Sequence, residues 1–106
     1  MILNHKENIE YLVEQVKMNF APQQIILFGS CARQEERETS DIDLIVVAES
    51  EKDFVERIAD FYRILKPKVA LDLLVYTPEE FNRLLNESAF VKNAVKEGVK
   101  LYEKST

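Results

Sequence analysis

Apolar and polar residues recur along this chain with two different periods, which predict its helices and strands. Residues 8–20 and 53–65 repeat apolar side chains every three or four positions, as the buried face of a helix does. Three shorter stretches are almost continuously apolar and rich in β-branched residues, which is typical of buried strands. These predicted strands cover residues 24–28, 42–48 and 69–76.

Helix start and stop signals extend the prediction through the last third of the chain. Thr77, followed by Pro78 and two glutamates, has the pattern of a helix N-cap and first turn. One or two helices are predicted from there to Gly98, after which Val99 and Leu101 alternate with polar residues and indicate a short strand or tail. The order helix, strand, strand, helix, strand, helix predicts an α/β (α+β) fold, with helices packed on a small mixed β-sheet.

Composition narrows the class of protein. With 106 residues, 46% of them hydrophobic and 31% charged, the chain predicts one domain over residues 1–106. Its net charge of −5 makes nucleic acid an unfavourable partner, because Lys and Arg drive such binding. No apolar run approaches the roughly 20 residues that span a membrane, and the N-terminus lacks a secretory pattern. Cys31 is the only cysteine, so we expect a reducing, cytoplasmic location.

Two aspartates mark the start of the second predicted strand. Asp41 and Asp43 are two positions apart, so their carboxylates point to one side of the strand while Ile42 and Leu44 point to the other. Two carboxylates this close repel each other unless a cation lies between them, and Mg²⁺ prefers such oxygen ligands. The alternative is a pair of solvated acids at a strand edge.

A third aspartate, Asp72, interrupts the third predicted strand between Leu71 and Leu73. An aspartate buried in such an apolar run is costly unless it is paired or binds a metal ion. If this strand lies beside the second, all three carboxylates can converge. Otherwise Asp72 lies at an exposed edge or pairs with a lysine such as Lys68.

A Gly-Ser pair, Gly29 and Ser30, lies between the first strand and a predicted short helix at residues 31–34. Glycine lets a ligand approach the backbone closely, and amides at a helix N-terminus bind phosphate. A Gly-Ser turn alone is a weak signal. Together with the three aspartates, it predicts a phosphoryl- or nucleotidyl-transfer site, in which two metal ions would activate the attacking oxygen and stabilise the leaving one.

These motifs resemble a known signature. Residues 27–33 (LFGSCAR) and 39–46 (TSDIDLIV) resemble that of the DNA polymerase beta-like nucleotidyltransferase superfamily. The short length, residues 71–81 and residues 95–103 are similar to its minimal nucleotidyltransferase branch, called MNT or MntA-like, so the resemblance covers nearly the whole chain. It implies the polymerase beta-like nucleotidyltransferase fold and Mg²⁺-dependent transfer of a nucleotide.

The resemblance also implies roles for individual residues. Gly29 and Ser30 would hold the phosphates of ATP, and Arg33 matches a motif arginine that contacts phosphate. A salt bridge from Arg33 to a nearby acid is the alternative. The residues that would bind two Mg²⁺ ions and catalyse transfer are Asp41, Asp43 and Asp72. The third of these aspartates would also help to deprotonate the acceptor.

The chain departs from the family pattern directly after the motif arginine. Gln34 stands where a glycine is common, and the loop that follows contains the acids Glu35, Glu36 and Glu38. These differences would weaken the attraction for a polyphosphate and lower the catalytic rate more than they alter the fold. Cys31, inside the motif, is interpreted as a small packed side chain and not as a nucleophile.

The family resemblance also predicts a partner. Members of this branch are commonly encoded beside a helical HEPN-type toxin, which implies an antitoxin that transfers AMP from ATP onto that toxin. The alternative is a non-catalytic antitoxin that neutralises its partner by binding alone. The three clustered acids favour catalysis, because binding alone would not need them. Transfer to a small molecule ranks lower, since such enzymes carry an added domain for the acceptor.

Two expectations concern packing. His5 lies in a polar stretch and is expected at the surface, not as a ligand. A helical apolar stripe near the C-terminus is expected to form core, although a chain this small could expose part of it to a partner or a second copy. Its members are Phe81, Leu84, Leu85, Phe90, Val91 and Val95. We therefore expect a homodimer or a hetero-oligomer.

Overall fold

Helices and strands alternate in the computed structural model, which describes residues 4–35 and 40–105. The helices in these ranges are α1 (His5–Phe20), α2 (Gly29–Ala32), α3 (Phe54–Leu65), α4 (Pro78–Glu87) and α5 (Ala89–Glu97). The strands are β1 (Gln24–Phe28), β2 (Ile42–Val47), β3 (Leu71–Tyr76) and β4 (Val99–Glu103). Glu36 and Glu38 of the acidic loop and Thr39 of the signature lie outside the described residues.

Side-chain caps explain where several helices begin. α1 begins three residues before the predicted helix, because the Asn4 side chain accepts a hydrogen bond from the Glu7 amide at 2.8 Å. Thr77 and Glu80 form the reciprocal capping box at the start of α4, which confirms the predicted N-cap. Ser88 ends α4 and caps α5, so the region that the sequence left as one or two helices contains two.

The four strands form one mixed sheet in the order β3-β2-β1-β4. β1 is antiparallel to both β2 and β4, whereas β2 and β3 are parallel and are connected through α3. β3 and β4 are therefore the edge strands. This arrangement confirms the predicted small mixed sheet with helices packed on it, and it makes the C-terminal segment a strand.

Helices cover both faces of the sheet. On one face, Leu12 of α1 and Phe61 of α3 pack in one core with Leu44 of β2. On the other face, Phe81 of α4 packs with Ile45 of β2 in a second, smaller core, to which α5 also contributes. Because strand side chains alternate, the odd-numbered positions of β2 face α4 and α5. Within the described residues, no helix is long and apolar enough to cross a membrane.

Gly98 ends α5 as predicted, and the structure shows why this position needs the smallest residue. A Cβ atom at this position would lie 2.5 Å from the Ala94 carbonyl oxygen and 2.7 Å from that of Leu27. Only glycine therefore allows the chain to leave α5 and pair at once with β1 as strand β4.

Candidate active site

The parallel pairing of β2 and β3 brings the predicted carboxylates together. In this register Asp43 lies directly beside Asp72, so one carboxyl group can donate to the other when it is protonated. Asp41 immediately precedes β2, and its charge also acts on Asp43. The three aspartates therefore form one group, the carboxylate cluster, at the end of β2 and β3 where both strands begin.

Asp72 is exposed at an edge strand, so the buried position favoured by its apolar neighbours is wrong and the exposed edge that the sequence left as an alternative is correct. β3 is an edge strand, and along it buried and less buried side chains alternate. Leu71 and Leu73 point into a core, whereas Asp72 points to the other side of the strand. The open edge lets this carboxylate remain hydrated, so its position within an apolar stretch carries little desolvation cost.

Asp43 is half-buried, and its surroundings change its protonation. Burial is the largest cause that raises the pKa of Asp43 from 3.8 to about 6. The hydrogen bond to Asp72 and the negative charges of Asp72 and Asp41 raise the pKa further, whereas the positive charge of Arg33 lowers it. The cluster therefore concentrates negative charge that a bound cation would offset.

Gly29 allows this carboxylate to lie directly against the Gly-Ser turn. Its φ angle is +71°, and a Cβ atom there would lie 2.1 Å from Oδ2 of Asp43. A side chain at this position would meet both a strained backbone and the Asp43 carboxylate. The Gly-Ser turn and the carboxylate cluster are thus in direct contact, because β1 pairs with β2 so that Phe28 lies opposite Asp43.

The turn after α2 contains Gln34, which stands where the family pattern commonly has glycine. The Glu35 amide donates to the Ser30 carbonyl oxygen at 2.9 Å, and the Gln34 amide donates to that of Cys31 at 3.3 Å. These two bonds define a Schellman motif, whose left-handed position usually holds glycine. Gln34 occupies that position with φ +59°. The turn therefore keeps its geometry with glutamine, but the backbone is strained.

Arg33 lies beside the cluster and is paired with acids. Its guanidinium is 3.3 Å from Glu35 and 3.8 Å from Glu97 of α5, and 43% of its side chain is exposed. The salt bridge that the sequence left as an alternative is thus present. Its positive charge still acts on Asp43. Contact between Arg33 and a phosphate remains a prediction, in which the phosphate would replace one of these carboxylates.

One contact near the site, made by His5, was not recognised from the sequence. The His5 ring nitrogen lies 2.8 Å from the Ser40 carbonyl oxygen, so this half-buried residue holds the segment before Asp41 instead of lying freely at the surface. The buried Cys31 thiol donates to the Asp41 carbonyl oxygen at 3.5 Å, in agreement with its interpretation as a packed side chain. No local pattern could have revealed the His5 contact, because 35 positions separate it from Ser40.

Tyr62 of α3 also borders the carboxylates. Its hydroxyl donates to the Leu71 carbonyl oxygen at the start of β3. Burial, and then the negative charge of Asp72, raises the pKa of Tyr62. A cavity of about 410 Å³ lies next to this tyrosine. Its lining consists of Phe28, Asp43, Tyr62, Asp72, Leu73, Leu74 and Phe90.

The chemistry of the cluster suits a magnesium ion that also binds phosphate. Among residues 4–35 and 40–105, no group of three or more His, Cys, Asp or Glu side chains is arranged so that it could hold a metal ion. Mg²⁺, however, usually binds one or two carboxylates together with substrate phosphates and water. The adjacent carboxylates of Asp43 and Asp72 provide two such oxygen ligands.

Comparisons with known proteins identify the family of this chain. The family "Polymerase beta, Nucleotidyltransferase" matches residues 7–106. A Methanocaldococcus jannaschii protein named "Putative protein adenylyltransferase" is 34% identical over 102 residues, which cover 94% of this chain and 100% of that protein.

Solved structures share the fold. One, described as "a putative nucleotidyltransferase from Sulfolobus solfataricus", has a TM-score of 0.66 and 25% identity, with 92% of this chain and 79% of that chain covered. A mutant form of the toxin-antitoxin MntA-HpeT has a TM-score of 0.55 and 23% identity, with 98% of this chain and 76% of that chain covered. At this identity the second likeness establishes the fold alone.

Proposed function

This chain belongs to the polymerase beta family of nucleotidyltransferases, and we propose that it transfers AMP from ATP to a partner protein in a Mg²⁺-dependent reaction. The observation that carries this proposal is the contact of Gly29 with Asp43, which lies beside Asp72. It joins a turn suited to phosphate with carboxylates suited to a divalent cation. The choice of AMP and of a protein acceptor is supported by the name of the Methanocaldococcus jannaschii relative.

Each site residue has a defined part in the proposed reaction. Asp43 and Asp72, with Asp41 beside them, would hold Mg²⁺ against the nucleotide, and Gly29 and Ser30 would bind its phosphates. When bound, the metal ion supplies positive charge that stabilises the charge developing on the transferred phosphate. The protein itself needs no covalent nucleophile, since positioning and charge neutralisation suffice.

The proposed transfer exchanges one bond at the α-phosphorus for another. A hydroxyl oxygen of the acceptor bonds to the α-phosphorus, the bond from that phosphorus to the bridging oxygen breaks, and pyrophosphate leaves. The exposed carboxylate of Asp72 accepts the hydroxyl proton. Its place at an edge strand suits this part, because a large acceptor can approach it from the solvent.

We further propose that the acceptor is a HEPN-type toxin and that this chain is the antitoxin of the pair, acting in the cytoplasm. The structural likeness to MntA-HpeT is consistent with such a role. The net charge of −5 suits a basic partner. A non-catalytic antitoxin, which acts by binding alone, is the competing hypothesis.

The test separates nucleotidyl transfer from phosphoryl transfer and from binding. The chain is incubated with Mg²⁺, the product of the neighbouring gene and ATP labelled at either the α- or the γ-phosphate. We expect the α-label, but not the γ-label, to appear on the partner. Asp43→Asn and Asp72→Asn should each reduce labelling at least 100-fold, since each removes a charge from the metal-binding pair.

A matched control is Asp60→Asn, which removes an aspartate paired with Lys52 and Arg63 on α3, outside the carboxylate cluster. This variant should label the partner as well as the unmodified chain does. Absence of α-label transfer, combined with unchanged neutralisation by Asp43→Asn, would leave the binding-only antitoxin as the function. Equal labelling by Asp43→Asn and the unmodified chain would exclude the proposed site.

A further inference from the structure

The cavity beside the carboxylate cluster has both polar and apolar lining. Asp43 and Asp72 supply carboxylates, whereas Phe28, Leu74 and Phe90 supply apolar surface. Its volume of about 410 Å³ lies within the range of small-molecule sites. A ligand held by the carboxylates through a metal ion and phosphate would therefore extend along an apolar wall.

Phe90 is unusual among the aromatic residues of this wall. It lies on α5, and 56% of its surface is exposed, although its apolar ring would be more stable if covered. The ring meets Phe28 edge to face, with centroids 5.8 Å apart and planes at 89°. Phe28 in turn directly precedes Gly29 of the phosphate-binding turn. The aromatic pair is thus attached to the proposed site at one end and open to solvent at the other.

We infer that Phe90, supported by Phe28, forms a stacking subsite for the base of the nucleotide. The inference rests on the proposed function, which places the triphosphate at Gly29 and the carboxylate cluster. A nucleoside attached to that phosphate reaches the neighbouring apolar wall. Aromatic rings bind bases through their faces, a contact that every base can make.

The same lining determines which nucleotides the subsite distinguishes. Its polar side chains are Asp43, Asp72 and Tyr62. The two carboxylates bind the metal ion in the proposed reaction, and the Tyr62 hydroxyl already donates to the Leu71 carbonyl oxygen. These side chains therefore leave no free donor for the base edge, and stacked area is the main contribution to recognition of the base. Adenine and guanine nucleotides should bind about equally, and cytosine nucleotides more weakly.

The experiment measures affinity without turnover. Isothermal titration calorimetry with Mg²⁺ compares the α,β-methylene analogues of ATP, GTP and CTP with inorganic tripolyphosphate, which has no base. For the unmodified chain, the two purine analogues should bind about 10-fold more tightly than tripolyphosphate. Phe90→Ala should remove this advantage and leave tripolyphosphate binding unchanged, whereas Phe90→Tyr should retain it. Val55→Ala, which truncates an exposed apolar residue of α3, is the matched control.

Each other outcome has a defined meaning. If Phe90→Ala binds the ATP analogue as tightly as the unmodified chain, or weakens both ligands equally, the subsite is rejected and the proposed function stands. A change confined to the KM for the partner protein would assign Phe90 to the acceptor and also reject the subsite. If the unmodified chain binds neither tripolyphosphate nor the analogues, the proposed function is rejected together with the inference.

Discussion

At the scale of single residues, backbone conformation near the site depends on two positions with positive φ. Gly29 adopts φ +71° and leaves room for the Asp43 carboxylate, so this position requires both the conformational freedom and the small size of glycine. Gln34 adopts φ +59° in the Schellman turn without the advantage of glycine. A non-glycine residue in this region stores strain of about 1 kcal/mol or more.

Replacing Gln34 by glycine should therefore stabilise the protein. The change removes the strain, and the greater freedom of glycine in the unfolded chain offsets part of the gain. We expect the free energy of unfolding to rise by about 0.5–1 kcal/mol in urea titrations. The slope of free energy against urea should stay the same, because the buried surface does not change.

Gly29→Ala is the opposite case and serves as the comparison. Its Cβ would lie 2.1 Å from the Asp43 carboxylate, so this variant should lose stability and partner labelling together. A Gln34→Gly variant that is less stable than the unmodified chain would show that the glutamine side chain makes a compensating contact.

At the scale of elements, an ion pair between the buried Arg57 and the half-buried Glu80 joins α3, β3 and α4. The guanidinium of Arg57, whose side chain is 6% exposed, contacts both carboxylate oxygens of Glu80 at 2.7 and 3.0 Å. It also donates to the Val75 carbonyl oxygen at 2.9 Å. Glu80 completes the capping box of α4 by accepting from the Thr77 amide. These contacts position α4 against the end of β3 opposite the carboxylate cluster.

The Arg57–Glu80 ion pair also predicts how the stability of the protein depends on pH. The hydrogen bond from Arg57 lowers the pKa of Glu80 from 4.5 to about 2. A lowered pKa in the folded state means that this stabilisation is complete above pH 4.5 and is lost as the pH falls towards 2. Glu80→Gln should therefore lower the free energy of unfolding by about 2 kcal/mol at pH 7. The difference from the unmodified chain should shrink below pH 4.5.

Urea titrations at several pH values measure this difference. Glu79→Gln changes the neighbouring, exposed glutamate of the same helix turn and is the matched control. It should alter stability by less than about 0.5 kcal/mol. If Glu80→Gln costs the same at pH 3 and at pH 7, the charge on Glu80 does not contribute to the stabilisation.

At the scale of the whole molecule, the site lies at one end of a four-stranded sheet, with Asp72 on an edge strand. An acceptor can therefore reach the carboxylates without any strand moving. The chain buries its two cores beneath helices, whereas Asp72 on the edge strand stays exposed. An open site at the edge of the sheet is suited to contact with a partner protein.

We accordingly expect assembly, either with a second copy or with the product of the neighbouring gene. Size-exclusion chromatography with light scattering should give the mass of a complex when both proteins are mixed. Because the chain has a net charge of −5, a complex with a basic partner should weaken as salt is added. A monomer both alone and in the mixture would contradict this expectation.

The amino-acid sequence by itself determined the features that depend on neighbouring residues. The periods of apolar residues predicted α1, α3 and three of the strands, and Thr77 with Pro78 predicted the start of α4. The alternation of side chains placed Asp43 away from the core that holds Ile42 and Leu44. These signals are local, because caps and alternation act over one to four residues. The family signature was equally readable, and the family match confirms it.

Only the tertiary structure decided what depends on long-range pairing. Strand order and register set Asp72 beside Asp43, and the edge position of β3 decided that Asp72 is exposed, where the sequence left burial and an exposed edge both open. The ion pair of Arg33 with Glu97, and the place of Phe90 beside the carboxylates, likewise join segments far apart in the chain. Such contacts arise from the packing of whole helices on the sheet, which no local pattern of residues encodes.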